Sequence, residues 1–336
     1  MRLSRYLSRL VIGRVFVAGI VLSLLGLSLD LLKSATKLLE EDGAIALLHY
    51  ALLRLPQIFT TLFPIAVLTG GVLTFNALVR RSESVVISGA GRGSFAVLRM
   101  LLPCALLLGV GFNLLGDRVT PWADRMLADT FPRTTQQAEI GAEIWSRSGA
   151  EVLHARLGAA DGSKLTDLTI WELDQGGLVI DEEAFSHAAF ADGIWLRDGD
   201  ALPWETRLTP SAVRALATGA LAVSALDARA ALTGAIVSTR GDAYYATRIA
   251  RGYLAFFVPF LMLLIASIAI FGSNRSHGAS INAVIAVAAG FLYVVFDGVA
   301  GTLSEVGAID AIIAATVPTA AFGALGIWAL IKLEEL

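Results

Sequence analysis

Residues 55–91 read LPQIFTTLFPIAVLTGGVLTFNALVRRSESVVISGAG. The first twenty-five, Leu55–Val79, carry no charge; two arginines, a serine and one acid, Glu83, then follow at once. A bilayer core about 30 Å thick needs about 20 apolar residues as helix, so Leu55–Val79 is long enough to cross it. The next residues, Arg80–Phe95, are basic and rich in Gly and Ser, and a second apolar run, Met100–Gly116, follows them. A short polar insert between two membrane-length segments makes this a polytopic membrane chain.

Further charge-free windows occur on both sides. Val15–Leu29 precedes the quoted stretch, and Val11–Gly13 extends it across Arg14. After Gly116 the pattern stops for more than a hundred residues. It resumes with Gly252–Asn274, Gly278–Phe296 and Ala311–Ile331. Six transmembrane helices are expected, three before and three after a central insert. The composition agrees: 56% of the 336 residues are hydrophobic and 16% charged, against about 25% charged in soluble domains. The N-terminus has the basic start and apolar stretch of a signal peptide. No clean small-x-small cleavage site follows, so a retained first helix is expected.

Lys and Arg in the short loops set the orientation. Arg2, Arg5 and Arg9 precede helix 1; Arg80, Arg81, Arg92 and Arg99 follow helix 2; Arg275 follows helix 4. The loop after helix 5 holds Asp297, Glu305 and Asp310 and no basic residue. Both termini and the loop after helix 2 are therefore expected in the cytoplasm. The insert is expected outside, in the periplasm if the cell is bacterial.

The insert, Asp117–Arg251, has 13 basic and 19 acidic residues. It opens with a helix-like piece from Thr120, where Pro121 suits a first helical turn. Short runs follow, EVLHARLG, KLTDLTIWELD, GLVIDEEAF and GIWLRDGD, bounded by Gly or Asp. Such runs with turn signals point to an all-β sandwich or open barrel. KLTDLTIWELD alternates imperfectly, and the Ala-rich stretch Thr209–Gly241 fits strand or helix equally.

Several chemistries lack their residues. GAGRGS (Gly89–Ser94) has no phosphate-loop Lys and no preceding buried strand. Cys104 is the only cysteine, and the four histidines are far apart, so neither a disulfide nor a metal-ligand spacing is present. Ionisable groups near the spans reduce to Arg14, Asp30 and Asp297, and Arg14 is expected to snorkel to the interface. An enzyme working inside the membrane would need a polar constellation that these helices do not supply. In the loop after helix 2, Val85, Val86 and Ile87 give an apolar patch opposite Arg80, Arg81 and Glu83. Ser82 suits an N-cap and Glu83 a first turn. Glu83 then either stabilises a helix start or forms a docking knob for a cytoplasmic partner.

The quoted stretch resembles the second helix and following loop of the LptF/LptG permeases. The matching residues are Leu55-Pro56, Phe63-Pro64, Gly70-Gly71, Arg81-Ser82-Glu83 and Ala90-Gly91. The insert resembles the family's β-jellyroll, notably at Asp192-Gly193-Ile194-Trp195-Leu196, and residues 294–330 resemble its last two helices. The RRSE loop and the acidic end LEEL are nearer LptG than LptF.

That resemblance implies an α-helical membrane protein of six transmembrane helices (3+3) with an inserted periplasmic all-β jellyroll-like domain. Residues 1–116 would hold helices 1–3 with a cytoplasmic coupling helix at about 80–94, residues 117–250 the jellyroll, and 251–336 helices 4–6. It implies a transport subunit of the bacterial inner membrane, not an enzyme, extracting lipopolysaccharide and passing it to a periplasmic bridge. The partners implied are an LptB-like ATPase dimer, a second LptF/LptG-type permease, and LptC- and LptA-like jellyroll proteins, without nucleic acid. No cofactor is implied in this chain; ATP and Mg would belong to the ATPase. Glu83, with Arg80, Arg81, Ser82 and Val86, would meet that ATPase. Lys33, Lys37 and Arg133 are candidates for the anionic headgroup. An ungapped reading puts Asp30 where LptG-type chains carry a Lys near the outer end of helix 1. The alternative is the permease of another ABC exporter, for a lipoprotein or peptide, which six spans with a central insert fit poorly.

Overall fold

The computed structural model describes residues 2–41, 43–83, 89, 93–131, 139–148, 150–174, 178–198, 203–204, 206, 208–218, 223–234, 238, 240–271 and 278–334. These fall into a helical unit, Met1–Ala123 with Ala250–Leu336, and a second unit, Asp124–Ile249.

The helical unit begins with α1 (Arg2–Glu41), α2 (Gly43–Arg80) and α3 (Ser94–Leu114). A π-helical turn, Leu115–Val119, joins α3 to α4 (Thr120–Thr130). The expected fresh helix start at Pro121 is therefore a continuation. Pro121 has no amide to donate backwards, and the wider turn in front of it absorbs that loss. After the second unit come α7 (Asp242–Leu254), α8 (Val258–Phe271), α9 (Gly278–Glu305) and α10 (Ala311–Glu334). Here α5 and α6, Pro210–Thr218 and Ala225–Leu232, lie wholly within the second unit, whose bounds also take in parts of α4 and α7.

Five described helices are long and apolar enough to cross a membrane: Leu3–Leu32, Gly43–Arg80, Phe95–Leu127, Ile281–Glu305 and Ala311–Lys332. The pair α7–α8 makes a sixth if its two arms, bent by 58°, are one span. The expected helix 4 over Gly252–Asn274 is thus an elbow. Pro259, at the second position of α8, cannot donate to the Ala255 carbonyl, and the chain turns through Phe257 N to Leu254 O at 2.9 Å.

The core of the helical unit is built around α8, where Met262, Leu263, Leu264, Ile265 and Ala266 are buried in succession. A helix buried on all sides needs no polar face, and α8 packs against α2, α3, α9 and α10. Around it lie Leu7, Val11 and Val15 of α1, Phe63, Val67 and Phe75 of α2, and Leu101 and Leu108 of α3. The Gly70-Gly71 pair lets α1 and α8 approach α2. A β-carbon at Gly70 would lie 2.6 Å from the Val15 amide nitrogen. Small residues at such crossings allow the close backbone approach on which helix packing in lipid relies.

The second unit holds one antiparallel sheet in sequence order: β1 (Glu143–Ser148), β2 (Glu151–Leu157), β3 (Lys164–Leu173), β4 (Val179–Ala191), β5 (Ile194–Arg197) and β6 (Pro203–Trp204). One face carries Ile144, Leu153, Ala155, Leu157, Leu165, Leu168, Ile170, Ala188 and Trp195, closed by Leu208 and Val213. The imperfect alternation in β3 is a bulge. Register shifts between His154 and Arg156, Asp167 has φ 52°, and Leu165 and Leu168 both stay on the buried face. Asp192 and Gly193, at φ 52° and 84°, make the two-residue turn from β4 to β5.

The insert is not all-β, which corrects the expectation. Within the Ala-rich stretch, α5 and α6 are helical: Thr209 Oγ1 accepts from Ala212 N at 3.2 Å, and Ser224 Oγ accepts from Asp227 N at 3.0 Å. Alanine has the highest helix propensity, and these caps supply starts. A jellyroll has two sheets; the described strands form a single six-stranded one.

Candidate partner-coupling site

The loop singled out in the sequence begins where α2 ends. Arg81 N donates to Ala77 O at 3.1 Å and Ser82 N to Val79 O at 3.0 Å. Ser82 has φ 57°. That left-handed conformation closes α2 at Ser82; most of the expected coupling helix at about 80–94 lies outside the described residues. Arg80, Arg81 and Ser82 are exposed and Glu83 is half-buried.

Glu83 is held from the first helix. The Tyr6 hydroxyl donates to its carboxylate, at 3.3 Å from Oε1 and 3.1 Å from Oε2. The same end of α1 also reaches α3. Ser4 Oγ donates to Met100 O at 2.9 Å, and the Cys104 thiol lies 3.9 Å from Ser8 O. Three helices thus meet around the start of the loop: α2, which leads into it, α3, which leads out, and the first turns of α1.

Sequence alone points to Glu83 and not to Tyr6. No local signal marks Tyr6, since its partner is 77 residues away. Of the remaining candidates, Val86 and Arg133 lie outside the described residues. Lys33 and Lys37 lie within α1, and their side chains are outside the described ones.

The helices carry polar contacts that charge-free windows do not reveal. Asp30 accepts from Tyr50 Oη at 3.1 Å and from Arg54 Nε at 3.2 Å, and Arg54 also reaches Gln57. Arg14, expected to snorkel, donates to the Leu73 carbonyl on α2. At the α7–α8 elbow, Arg251 pairs with the Asp297 carboxylate and donates to the Asp297 carbonyl at 2.8 Å. Asn113 donates to Gly252 O at 2.8 Å, and Gly109 leaves room for the Phe256 backbone. Among the described residues, no group of three His, Cys, Asp or Glu side chains has metal-binding geometry.

Comparison with known proteins places this helical arrangement. The family of the lipopolysaccharide export system permease LptF/LptG matches residues 5–182 and 197–332. The chain belongs to the LptF/LptG family. It is 26% identical to the lipopolysaccharide export system permease protein LptG of Haemophilus influenzae, across 99% of both chains. It is 26% identical to LptG of Escherichia coli K12, across 98% of both. Within the family it is LptG-like. The match includes the end of α2 and Glu83, and omits residues 183–196, the later part of β4 and most of β5. The Asp192–Leu196 run that resembles the jellyroll thus falls outside it. The chain has several membrane-length helices, and these relatives are named as permeases of a lipopolysaccharide export system.

Proposed function

We propose that this LptF/LptG-family chain is the transmembrane permease subunit of an ATP-driven lipopolysaccharide exporter in the bacterial inner membrane. The observation that carries the reading is the family match across nearly the whole length, the helices and the first three strands included. Three helices before the insert and three after it cross the membrane, the elbow counting as one. Both termini and the loop at Glu83 face the cytoplasm, and the insert, as a jellyroll-like domain, faces the periplasm.

An LptB-like ATPase dimer binds ATP and Mg and drives the cycle. Arg80, Arg81, Ser82, Glu83 and Val86 receive its movement, and a rigid-body shift of the helices passes it on. A second LptF/LptG-type permease completes the cavity. Lipopolysaccharide leaves the membrane through it and moves over the insert to LptC- and LptA-like proteins. Its anionic headgroup pairs with basic residues near the outer rim, with Lys33, Lys37 and Arg133 as candidates.

The test is Glu83→Ala in the assembled complex. Loss of the co-purifying ATPase or of export, with unchanged thermal melting of the permease, supports the reading. Full ATPase stoichiometry with normal export overturns it. The lipid extracted with the wild-type complex identifies the cargo, and a lipoprotein or peptide in its place would favour another ABC exporter.

A further inference from the structure

The first turns of α1 bear on the loop in three places. Tyr6 donates to both oxygens of Glu83, Ser4 to the carbonyl of Met100 on α3, and Cys104 of α3 approaches the Ser8 carbonyl. Leu7, between these residues, is fully buried in the helical core. The side chains of Ser4 and Tyr6 and the carbonyl of Ser8 therefore sit on an end of α1 that is fixed by packing.

Farther along, α1 is bound tightly to α2. Val15 is buried, and its backbone fills the space where a side chain at Gly70 would stand. A helix anchored at Leu7 and Val15 cannot shift its first turns freely. Tyr6 is thus a donor presented from a fixed support. Glu83 lies just past the left-handed break at Ser82, where α2 no longer dictates side-chain direction.

From this we infer that Tyr6 is a positioning residue for Glu83. It holds the carboxylate in one orientation before the partner arrives and ties the loop to α1. The geometry has two consequences. Docking meets a carboxylate whose rotamer freedom is already reduced, and preorganisation of that kind improves affinity by cutting the ordering cost of binding. A displacement of Glu83 by the partner also pulls on α1 directly, besides acting through α2 and α3. The inference rests on the proposed role of Glu83 as the ATPase contact.

The experiment is a double-mutant cycle in the full complex, read as the affinity of the purified ATP-hydrolysing subunit for the permease in detergent or nanodiscs. The chains are wild type, Tyr6→Phe, Glu83→Ala and the double variant, each checked for unchanged thermal melting. Tyr6→Phe keeps the ring and removes only the donor. It is expected to weaken binding roughly threefold to tenfold, the share of one exposed hydrogen bond to a charged group. In the Glu83→Ala background the same change is expected to do nothing, since the cycle isolates the pairwise contribution. Equal weakening by Tyr6→Phe in both backgrounds overturns the inference and gives Tyr6 a role independent of Glu83. No weakening by Tyr6→Phe beside strong weakening by Glu83→Ala also overturns it, and leaves Glu83 as the contact. If Glu83→Ala alone leaves binding intact, the proposed role of Glu83 fails, and the positioning role falls with it.

Discussion

Two carboxylates, one in each unit, are held in opposite ways. In the helical unit Asp297 lies across from a guanidinium, and both side chains are less than a third exposed. In the sheet unit Asp198 is at the surface and accepts two main-chain amides, from His187 at 2.9 Å and Ser186 at 3.1 Å. Helices satisfy their own backbone, so a polar side chain among them must find another side chain or an opened carbonyl. Arg251, at the elbow, finds both the side chain and the carbonyl of Asp297 on α9. A strand end leaves main-chain amides unpaired, and a short carboxylate beyond it takes them. Asp297 is therefore a joint between segments, and Asp198 a terminator of a strand.

Breaking the joint is expected to have the largest effect. Arg251→Leu leaves Asp297 half-buried without its partner. It should lower stability by roughly 3 kcal/mol, because an uncompensated charge is left behind. Thermal unfolding in detergent measures it, and the double change Arg251→Leu with Asp297→Leu should recover most of the loss. Equal loss in single and double variants would mean that the two residues act by packing and not as a pair.

Next comes the approach of α1 to α2. Gly70→Ala puts a β-carbon 2.6 Å from the Val15 amide nitrogen, and strain of this kind costs about 1–3 kcal/mol. Gly13→Ala on α1, where nothing lies within 4 Å of the new carbon, should keep or raise the melting temperature. Similar losses from both would remove the close crossing as the explanation.

In the sheet unit the counterpart of the buried joint is Trp195, whose indole Nε1 donates to Leu208 O at 2.7 Å under the sheet. Trp195→Phe retains a ring but takes that donor from a buried carbonyl. The expected cost is about 1–2 kcal/mol, read as faster amide exchange in β4 and β5 with little change in α2 or α8. Uniform acceleration across both units would contradict a local role.

How much of this is legible in the sequence divides along the same line. Charge-free windows locate α1, α2, α3, α9 and α10, because burial in lipid constrains whole segments. They do not fix the elbow: Pro259 permits a kink, but a window over Gly252–Asn274 does not show the contacts that α3 and α9 make there, Asn113 with Gly252 and Asp297 with Arg251. Arg251 stands one residue outside that window, and its pairing with Asp297 spans 46 residues. Alternation locates β3 but not its bulge, because the spacing of Leu165 and Leu168 reads as noise until Asp167 is seen in the left-handed region. The Ala-rich stretch stays open for lack of periodicity, although Ser224 followed by Asp227 is a cap signal in plain view. At the loop, the docking role of Glu83 is favoured only through resemblance. Tyr6 is not legible at all, since nothing local to residue 6 encodes a contact with residue 83.

The smallest expected effect tests the terminators. The amides of His187 and Ser186, with the His187 ring 3.3 Å from Oδ1, hold the Asp198 carboxyl below the usual carboxylate range. Asp161 is held low in the same way by the Ser163 hydroxyl and amide. A carboxylate with a depressed folded-state pKa adds stability that is present above its unfolded value, near 3.9, and is lost as pH falls through the folded value. The sheet unit should therefore keep its full share above about pH 5 and lose it progressively below about pH 4. Asp198→Asn removes the titration and keeps an acceptor for one of the two amides, while its amide nitrogen takes the place of the second oxygen. Its melting temperature should start a little lower at neutral pH and fall less steeply than that of wild type across this acid range. Exposure keeps the effect modest. An identical acid slope in both proteins would assign the amide bonds to any acceptor at this position, charged or not.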